Sequence, residues 1–469
     1  MPTNAAALKR IREILGPQGI IDDPVRMEGY LSSWRNGWTG KSPFIALPAS
    51  TEQISAIVTV CHQNKIPVVP QGGNTGLVGG SIPSAEGNQL LINLSRLNKI
   101  REIDAVGSTI TAEVGVILQT LQETAAKAGF LFPLSMASQG SAQVGGAIST
   151  NAGGTAVLRY GNMRNLVLGI EAVLPDGQIL SHLAKLLKDN AGYNVGQYFI
   201  GSEGTLGIVT AAVLKLFPEI RQSLTAIAAI DSAETALGLL ADYRREASEF
   251  LSAFEIMSCD ALKLVMKHIP GARFPGRDDT PFYLLIELSA SSASAPLRDM
   301  FENTAAKAME RGRILDAVVA SSAAQAKQFW HLREHISEAM RKEGPGIHFD
   351  ISLPLVQLAS FVREMGPKIK TLVPGITLAP FGHIGDGNLH YNMCFTHAPD
   401  NFDALKKKIR ELVYGDVTQR GGSISAEHGI GIERKTELAL YKSRAEIDAM
   451  KAIKRALDPS NLMNPGKIF

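Results

Sequence analysis

Pro70-Gln-Gly-Gly-Asn-Thr-Gly-Leu-Val-Gly-Gly80 stands directly after the short apolar run Ile66-Pro-Val-Val69. A strand that empties into so many glycines reads as an anion cradle, because successive backbone N–H groups in a Gly turn can converge on phosphate oxygens. An ordinary Gly turn is the competing reading. The stretch is not a P-loop, since no Gly-Lys-Ser/Thr follows, and it lacks the Gly-x-Gly-x-x-Gly spacing of a dinucleotide-binding Rossmann turn. A second stretch favours the cradle: Pro133-Leu-Ser-Met-Ala-Ser-Gln-Gly-Ser-Ala-Gln-Val-Gly-Gly146, then Ser149-Thr-Asn-Ala-Gly-Gly154 and Arg159-Tyr-Gly161. Small residues and hydroxyls over so long a span suit an extended ligand pressed against backbone, and a flavin dinucleotide fits that description better than a mononucleotide.

The rest of the chain is consistent with a small-molecule ligand. Its 469 residues exceed the size at which one core stops growing, so at least two domains are expected, and a hydrophobic content of 45% can fill both. The net charge of only +2 comes without a Lys/Arg run, which argues against nucleic acid or a membrane surface as partner. The start, Met1-Pro-Thr-Asn-Ala-Ala-Ala-Leu-Lys-Arg, has no apolar core of signal-peptide length, and no long apolar run occurs elsewhere. A cytoplasmic protein is the expectation. Cys61, Cys259 and Cys394 are far apart and predict no disulfide, with Cys61 in the core beside Ile54, Ile57 and Val58.

Ser50-Thr-Glu-Gln53 has capping-box spacing and opens a helix, and Leu90–Asn93 and Thr109–Val114 read as strands. Ile117, Leu121, Thr124 and Ala128 fit a helix stopped by Gly129. An α+β domain is expected over residues 1–217, ending in the strand Gly207–Phe217. From about residue 218 to 425 single strands, 224–230, 250–256, 282–288 and 315–320, alternate with helices. That order predicts a cap or substrate domain with an antiparallel sheet covered on one face by helices. Residues 426–469 are expected to return to the first domain.

The chemistry is densest at His383-Ile-Gly-Asp-Gly-Asn-Leu-His390 and Glu427-His428-Gly-Ile-Gly. Two His and one Glu are the ligand set of a catalytic divalent-metal site, so His383, His390 and Glu427 are the candidate ligands. His428, beside the Glu ligand, can move a proton. The glycines at 382, 385 and 387 place the two His on either side of a tight turn. Asn388, in the same turn, is a candidate hydrogen-bond partner of the substrate, or serves the turn alone.

Five ordered motifs carry a resemblance. Pro-Gln-Gly-Gly-Asn-Thr-Gly, Gly-Gly-x-x-x-Thr-Asn-Ala-Gly-Gly, Phe199-Ile-Gly-Ser-Glu-Gly-Thr-Leu-Gly207, His-x-Gly-Asp-Gly-Asn-x-His and Glu-His-Gly-Ile-Gly together resemble the FAD-dependent 2-hydroxy-acid dehydrogenases of the vanillyl-alcohol-oxidase superfamily. Leu332-Arg-Glu-His-Ile-Ser-Glu-Ala339 and Asp350-Ile-Ser-Leu-Pro354 look most like the D-2-hydroxyglutarate dehydrogenase branch, with D-lactate dehydrogenases and the glycolate-oxidase flavoprotein subunit as near relatives. The resemblance implies a PCMH-type FAD-binding domain of two α+β subdomains, a ferredoxin-like cap and a C-terminal helical return. It places Gln71, Gly72, Gly73, Asn74, Thr75 and Gly76 at the pyrophosphate. Ser138, Gly140, Ser141, Gly145, Asn151, Gly153 and Tyr160 would line the rest of the FAD, with Glu203 and Ile208 near the adenosine part. Asn74 stands where some superfamily members carry a flavin-bonding His, which implies a noncovalent flavin.

What the resemblance implies for catalysis is oxidation of a D-2-hydroxy acid, D-2-hydroxyglutarate first, to the 2-oxo acid. A divalent metal, zinc or else manganese, would bind the substrate, His428 would take the hydroxyl proton, and the hydride would pass to flavin N5. Arg333 and Ser337, four apart on one predicted helix, would face the substrate from the same side, the former gripping a carboxylate. His348 departs from the branch, which carries Lys there to meet a distal carboxylate, so D-malate, D-lactate or glycolate compete as substrates. An electron acceptor (an electron-transfer flavoprotein, a quinone or a cytochrome) is the other implied partner, and the assembly considered is a homodimer. Three alternatives differ in class. A metallohydrolase would not need the Gly loops, an alkyl-glycerone-phosphate synthase would need a basic cluster in the cap, and a noncatalytic flavin-binding subunit would not need the intact metal set.

Overall fold

The computed structural model describes residues 4–35 and 37–469; the first three residues of the N-terminal stretch lie outside that set. The chain divides into two compact units, each of which is discontinuous. The first comprises Met1–Gly154, Gly161–Glu219 and Glu427–Phe469, and the second Thr155–Tyr160 and Ile220–Ala426.

In the first unit, Ser50 accepts a hydrogen bond from the Gln53 N–H and starts the helix Thr51–Asn64, whose buried face is Ile54, Ile57, Val58 and Cys61. Burial pushes the Cys61 thiol up to about 12, and all three cysteines are free. A four-stranded sheet runs in the order Ile20–Ile21, Ile45–Ala46, Leu90–Asn93, Val68–Gln71; its last three strands are parallel. A second, antiparallel sheet runs Ile100–Asp104, Thr109–Glu113, Ile208–Lys215, Val167–Val173, Ile179–His182. The C-terminal helices Lys435–Tyr441 and Arg444–Leu457 belong to the same unit. After them the chain flanks Val68, which donates to the Leu462 carbonyl and accepts from the Asn464 N–H.

The second unit is built on an antiparallel sheet, in the order Asp316–Val319, Gln222–Ile230, Phe282–Ala290, Leu251–Ser258, Thr377–Gly382, Asn388–Cys394, Gly346–Ile347. Helices cover both of its faces, where the sequence predicts only one covered face. Ile227, Met257, Leu285 and Phe381 pack against Phe329, Leu332, Ile336 and Met340 of the helical segments 323–334 and 336–343. On the opposite face Tyr243 of the helix Ala233–Ala247 meets Phe254 of the sheet and Phe301 of the helix Leu297–Glu310. The cause is readable in the strands. Leu251–Ser258 is buried at every position, as a strand covered on both sides must be. No helix among the described residues is long and apolar enough to cross a membrane.

Asp458 holds the returning tail. It is buried, pairs with Lys454, and accepts the N–H groups of Leu462 at 3.0 Å and Met463 at 2.8 Å. Asp458→Ala leaves a mostly buried ammonium and two backbone donors without this acceptor, so it should lower the stability of the first unit by about 3–5 kcal/mol, read from urea unfolding.

Candidate active site

The loop after Val68–Gln71 is braced from behind by amides. Gln71 donates to the carbonyls of Tyr30 and Ser81, and Asn93 donates to Gln71 Oε1 and to the Gly72 carbonyl. Asn74, at φ 53°, donates to the Ser32 carbonyl at 3.0 Å and accepts from the Ser81 hydroxyl at 2.9 Å. A cleft of the first unit is walled by Gln71 through Gly76, Gly145, Glu203, Ile208 and His428, together with Met136, Gly146 and Ser149. A methyl group built on Gly73 would lie 2.0 Å from the Ser141 carbonyl oxygen, so the two Gly-rich loops touch backbone to backbone. At Gly76 and Gly146 it would meet nothing within 4 Å. Those two glycines leave open the space that side chains would occupy, and a long ligand bound through backbone groups fits such walls.

Not every residue expected in this wall lines it. Ser141 presses on Gly73, Ser138 accepts backbone N–H bonds from Ser141 and Ala142, and Asn151, at φ 50°, accepts the Arg164 N–H. Gly140 and Gly153 are outside the cleft lining as well. Tyr160 belongs to the second unit, beneath the Arg159 guanidinium at 5.1 Å.

Glu203 ties the Glu-His-Gly-Ile-Gly segment to the cleft. Its carboxylate accepts the N–H of Ile430 at 2.7 Å and of Gly431 at 2.8 Å. Burial pushes this carboxyl up, outweighing those two bonds and the nearby Arg434 and Lys467 charges. Gly431, at φ 52°, is required: a Cβ there would sit 2.1 Å from the Val78 carbonyl oxygen. His428 is thereby held in the cleft wall, with Nε2 3.7 Å from Glu427 Oε1. Asn464, which sequence reasoning passed over, donates to the carbonyls of Gly80 and Glu203 and locks the tail to both.

In the second unit, the strands Thr377–Gly382 and Asn388–Cys394 flank the turn that separates His383 from His390. Gly387, at φ 88°, has the Leu353 carbonyl where a Cβ would be, so the turn needs glycine. The two imidazoles are 5.6 Å apart, centroid to centroid. Behind His383 lies Glu255, whose side chain is only 1% exposed; Oε1 is 2.6 Å from His383 Nδ1, and Oε2 accepts Arg333 Nε at 2.8 Å. Burial alone would push the Glu255 carboxyl up, but the charges and hydrogen bonds of His383 and Arg333 prevail and hold it down to about 2. Asp350 Oδ1 is 4.0 Å from His390 Nδ1 and 3.0 Å from Asn388 Nδ2. A pair of imidazoles backed by buried carboxylates is chemically suited to a divalent metal.

Two expectations change here. Arg333 and Ser337 do not share one helical face: the helix Ala323–Glu334 breaks at His335 before Ile336–Glu343, and Glu255 draws Arg333 inward while Ser337 stays exposed. The Asn388 amide nitrogen is spent on Asp350 and on the Ile351 carbonyl, so it braces the turn. Glu255 and Asp350 were missed as site residues; a lone Glu within Phe254-Glu-Ile-Met257 was the available signal for the first. His348, half-buried, follows the strand Gly346–Ile347.

A family model described as the C-terminal domain of FAD-linked oxidases matches residues 220–468, and an FAD-binding-domain model matches residues 42–182. The chain is 37% identical to the D-2-hydroxyglutarate dehydrogenase of Arabidopsis thaliana, covering 98% of this chain and 80% of that one. It is 37% identical to the D-2-hydroxyglutarate dehydrogenase of Xanthomonas citri pv. viticola (95% and 93% covered) and 38% identical to a putative D-lactate dehydrogenase of Schizosaccharomyces pombe (97% and 88%). Among solved structures, p-cresol methylhydroxylase superposes with a TM-score of 0.79 at 14% identity, over 100% of this chain and 97% of that one. Alkyldihydroxyacetonephosphate synthase reaches 0.75 at 17%, over 98% and 84%. Both share the fold. The expectation of a cytoplasmic protein is overturned, because the Arabidopsis, Schizosaccharomyces and Danio rerio relatives are named as mitochondrial.

Gly146→Leu should fill the cleft without straining its helix. The purified variant should lose its flavin absorbance near ~450 nm while its apo-protein stability changes by no more than about 0.5 kcal/mol.

Proposed function

The chain belongs to the FAD-linked oxidases and is an FAD-dependent hydroxy-acid dehydrogenase, and on that premise we propose that it oxidises D-2-hydroxyglutarate to the 2-oxo acid. The observation that carries the substrate is near-full-length similarity to D-2-hydroxyglutarate dehydrogenases from a plant and from a bacterium. When bound, FAD supplies the acceptor for the Cα hydride, and a divalent metal, zinc or else manganese, supplies Lewis acidity at the hydroxyl. The flavin is held noncovalently by the Gln71–Gly76 loop, Gly145, Glu203 and Ile208, and the metal by His383, His390 and Glu427.

His428 is the base that removes the substrate hydroxyl proton. Its place in the cleft wall supports this role. Arg333 binds a substrate carboxylate through its two Nη groups, for which Glu255 leaves the guanidinium edge available among the described residues. His348 completes the substrate pocket, while Asn388 acts through Asp350. Each turnover leaves two electrons for an electron-transfer flavoprotein, a quinone or a cytochrome.

His348 favours a second reading within the same chemistry. An imidazole can be neutral at pH 7 where an ammonium cannot, so a monocarboxylate such as D-lactate competes, in line with the Schizosaccharomyces relative.

Anaerobic addition of D- and L-2-hydroxy acids, with and without prior chelation, separates these readings. D-2-hydroxyglutarate should bleach the flavin in the metal-replete protein and fail to do so after chelation; faster bleaching by D-lactate would install the second reading. His428→Ala should keep its flavin and metal and slow the bleaching by about 10²- to 10⁴-fold, as measured by stopped flow. An unchanged rate would remove His428 as the base.

A further inference from the structure

Glu255 is a carboxylate in the middle of a strand that is buried at every position, between Phe254 and Ile256. A buried charge there is costly unless both oxygens are satisfied by charged or strongly donating partners. Both are, and by two different groups: His383 Nδ1 at Oε1 and Arg333 Nε at Oε2. These partners lie 128 and 78 residues away in the chain, on the metal turn and on the helix Ala323–Glu334. One rigid strand side chain thus joins the two.

The chemistry of each bond has a directional consequence. A carboxylate facing Nδ1 makes that nitrogen the N–H donor, so Nε2 is the nitrogen of His383 that can ligate a metal. A carboxylate on Arg333 Nε takes the side edge of the guanidinium, which leaves the end-on Nη1/Nη2 fork for an anion. The guanidinium carbon lies over the Phe381 ring, 4.8 Å from its centroid, a second contact on the same group. The tautomer of one imidazole and the aim of one guanidinium are therefore set by the same two oxygens.

We propose that Glu255 is a positioning residue that holds the metal-ligating His383 and the carboxylate-binding Arg333 at one spacing, so that the site measures the distance between a hydroxyl and a carboxylate in the substrate. This inference rests on the assignment of His383 to the metal and of Arg333 to a substrate carboxylate. The Glu255 carboxylate faces the His383 and Arg333 side chains and acts through them. Loss of its carboxylate releases both groups together, whereas loss of either partner releases only one.

The test compares Glu255→Gln, Glu255→Asp and His383→Ala with the native protein as purified holoenzyme, reading zinc and manganese affinity by competition with a chromophoric chelator, together with flavin content and the KM for D-2-hydroxyglutarate and D-lactate. Glu255→Gln offers one acceptor oxygen where two donors point. It should weaken metal affinity by about 10- to 100-fold and raise KM more than it lowers kcat, with flavin content unchanged, since the flavin cleft lies in the other unit. Glu255→Asp, which keeps both oxygens, should recover much of the metal affinity. Native metal affinity and KM in Glu255→Gln, with metal lost in His383→Ala, would overturn the positioning role and leave the metal assignment standing. Metal retained by His383→Ala would overturn the assignment beneath it, and the positioning role with it.

Discussion

The hydrogen bonds of Glu203 with the Ile430 and Gly431 N–H groups are the constraint on which the first unit's chemistry depends. They join the strand-and-loop wall of the cleft to a segment that the chain delivers only after the whole second unit. Everything around them reinforces the same junction. Ile432 donates to the Val78 carbonyl, Asn464 reaches Gly80 and Glu203, and Asp458 folds the tail so that it flanks Val68. An excluded carboxylate of this kind is expensive by itself. It persists because it accepts two backbone N–H groups and lies near the Arg434 and Lys467 charges, and the result is an imidazole held in the wall of a glycine cleft.

Local physics made much of the fold legible. Ser50 with Gln53 announces a helix start, Gly129 follows the end of the helix Leu118–Lys127, and the apolar runs at 90–93, 109–113, 208–215 and 222–230 are all strands. The turn between His383 and His390 was equally readable, because glycines at 382 and 387 have the positive φ that other residues avoid. These signals act within a few residues, where spacing and backbone preference suffice.

The remainder was hidden because it is made between distant segments. Nothing near Glu255 marks it as the partner of His383 and Arg333, and nothing near Asp350 marks it as the neighbour of His390. The expectation that Arg333 and Ser337 share a face follows from helical spacing, and the break at His335 defeats it. The second helical layer on the cap sheet escaped for a related reason. Alternation of burial shows which face is covered, and strands such as Leu251–Ser258 have no alternation to read.

The discontinuous first unit has a consequence for the order in which the protein assembles. A chain emerging from the ribosome can complete the body of the second unit, residues 220–426, as soon as that span is out. The first unit cannot close until residues 427–469 arrive, and it meanwhile presents Val68 as an open strand edge beside an unfinished flavin cleft. Closing it requires long-range pairing, the kind of contact that slows folding in general. The wall of the flavin cleft that carries His428 therefore forms only with the capture of a segment that follows the whole second unit.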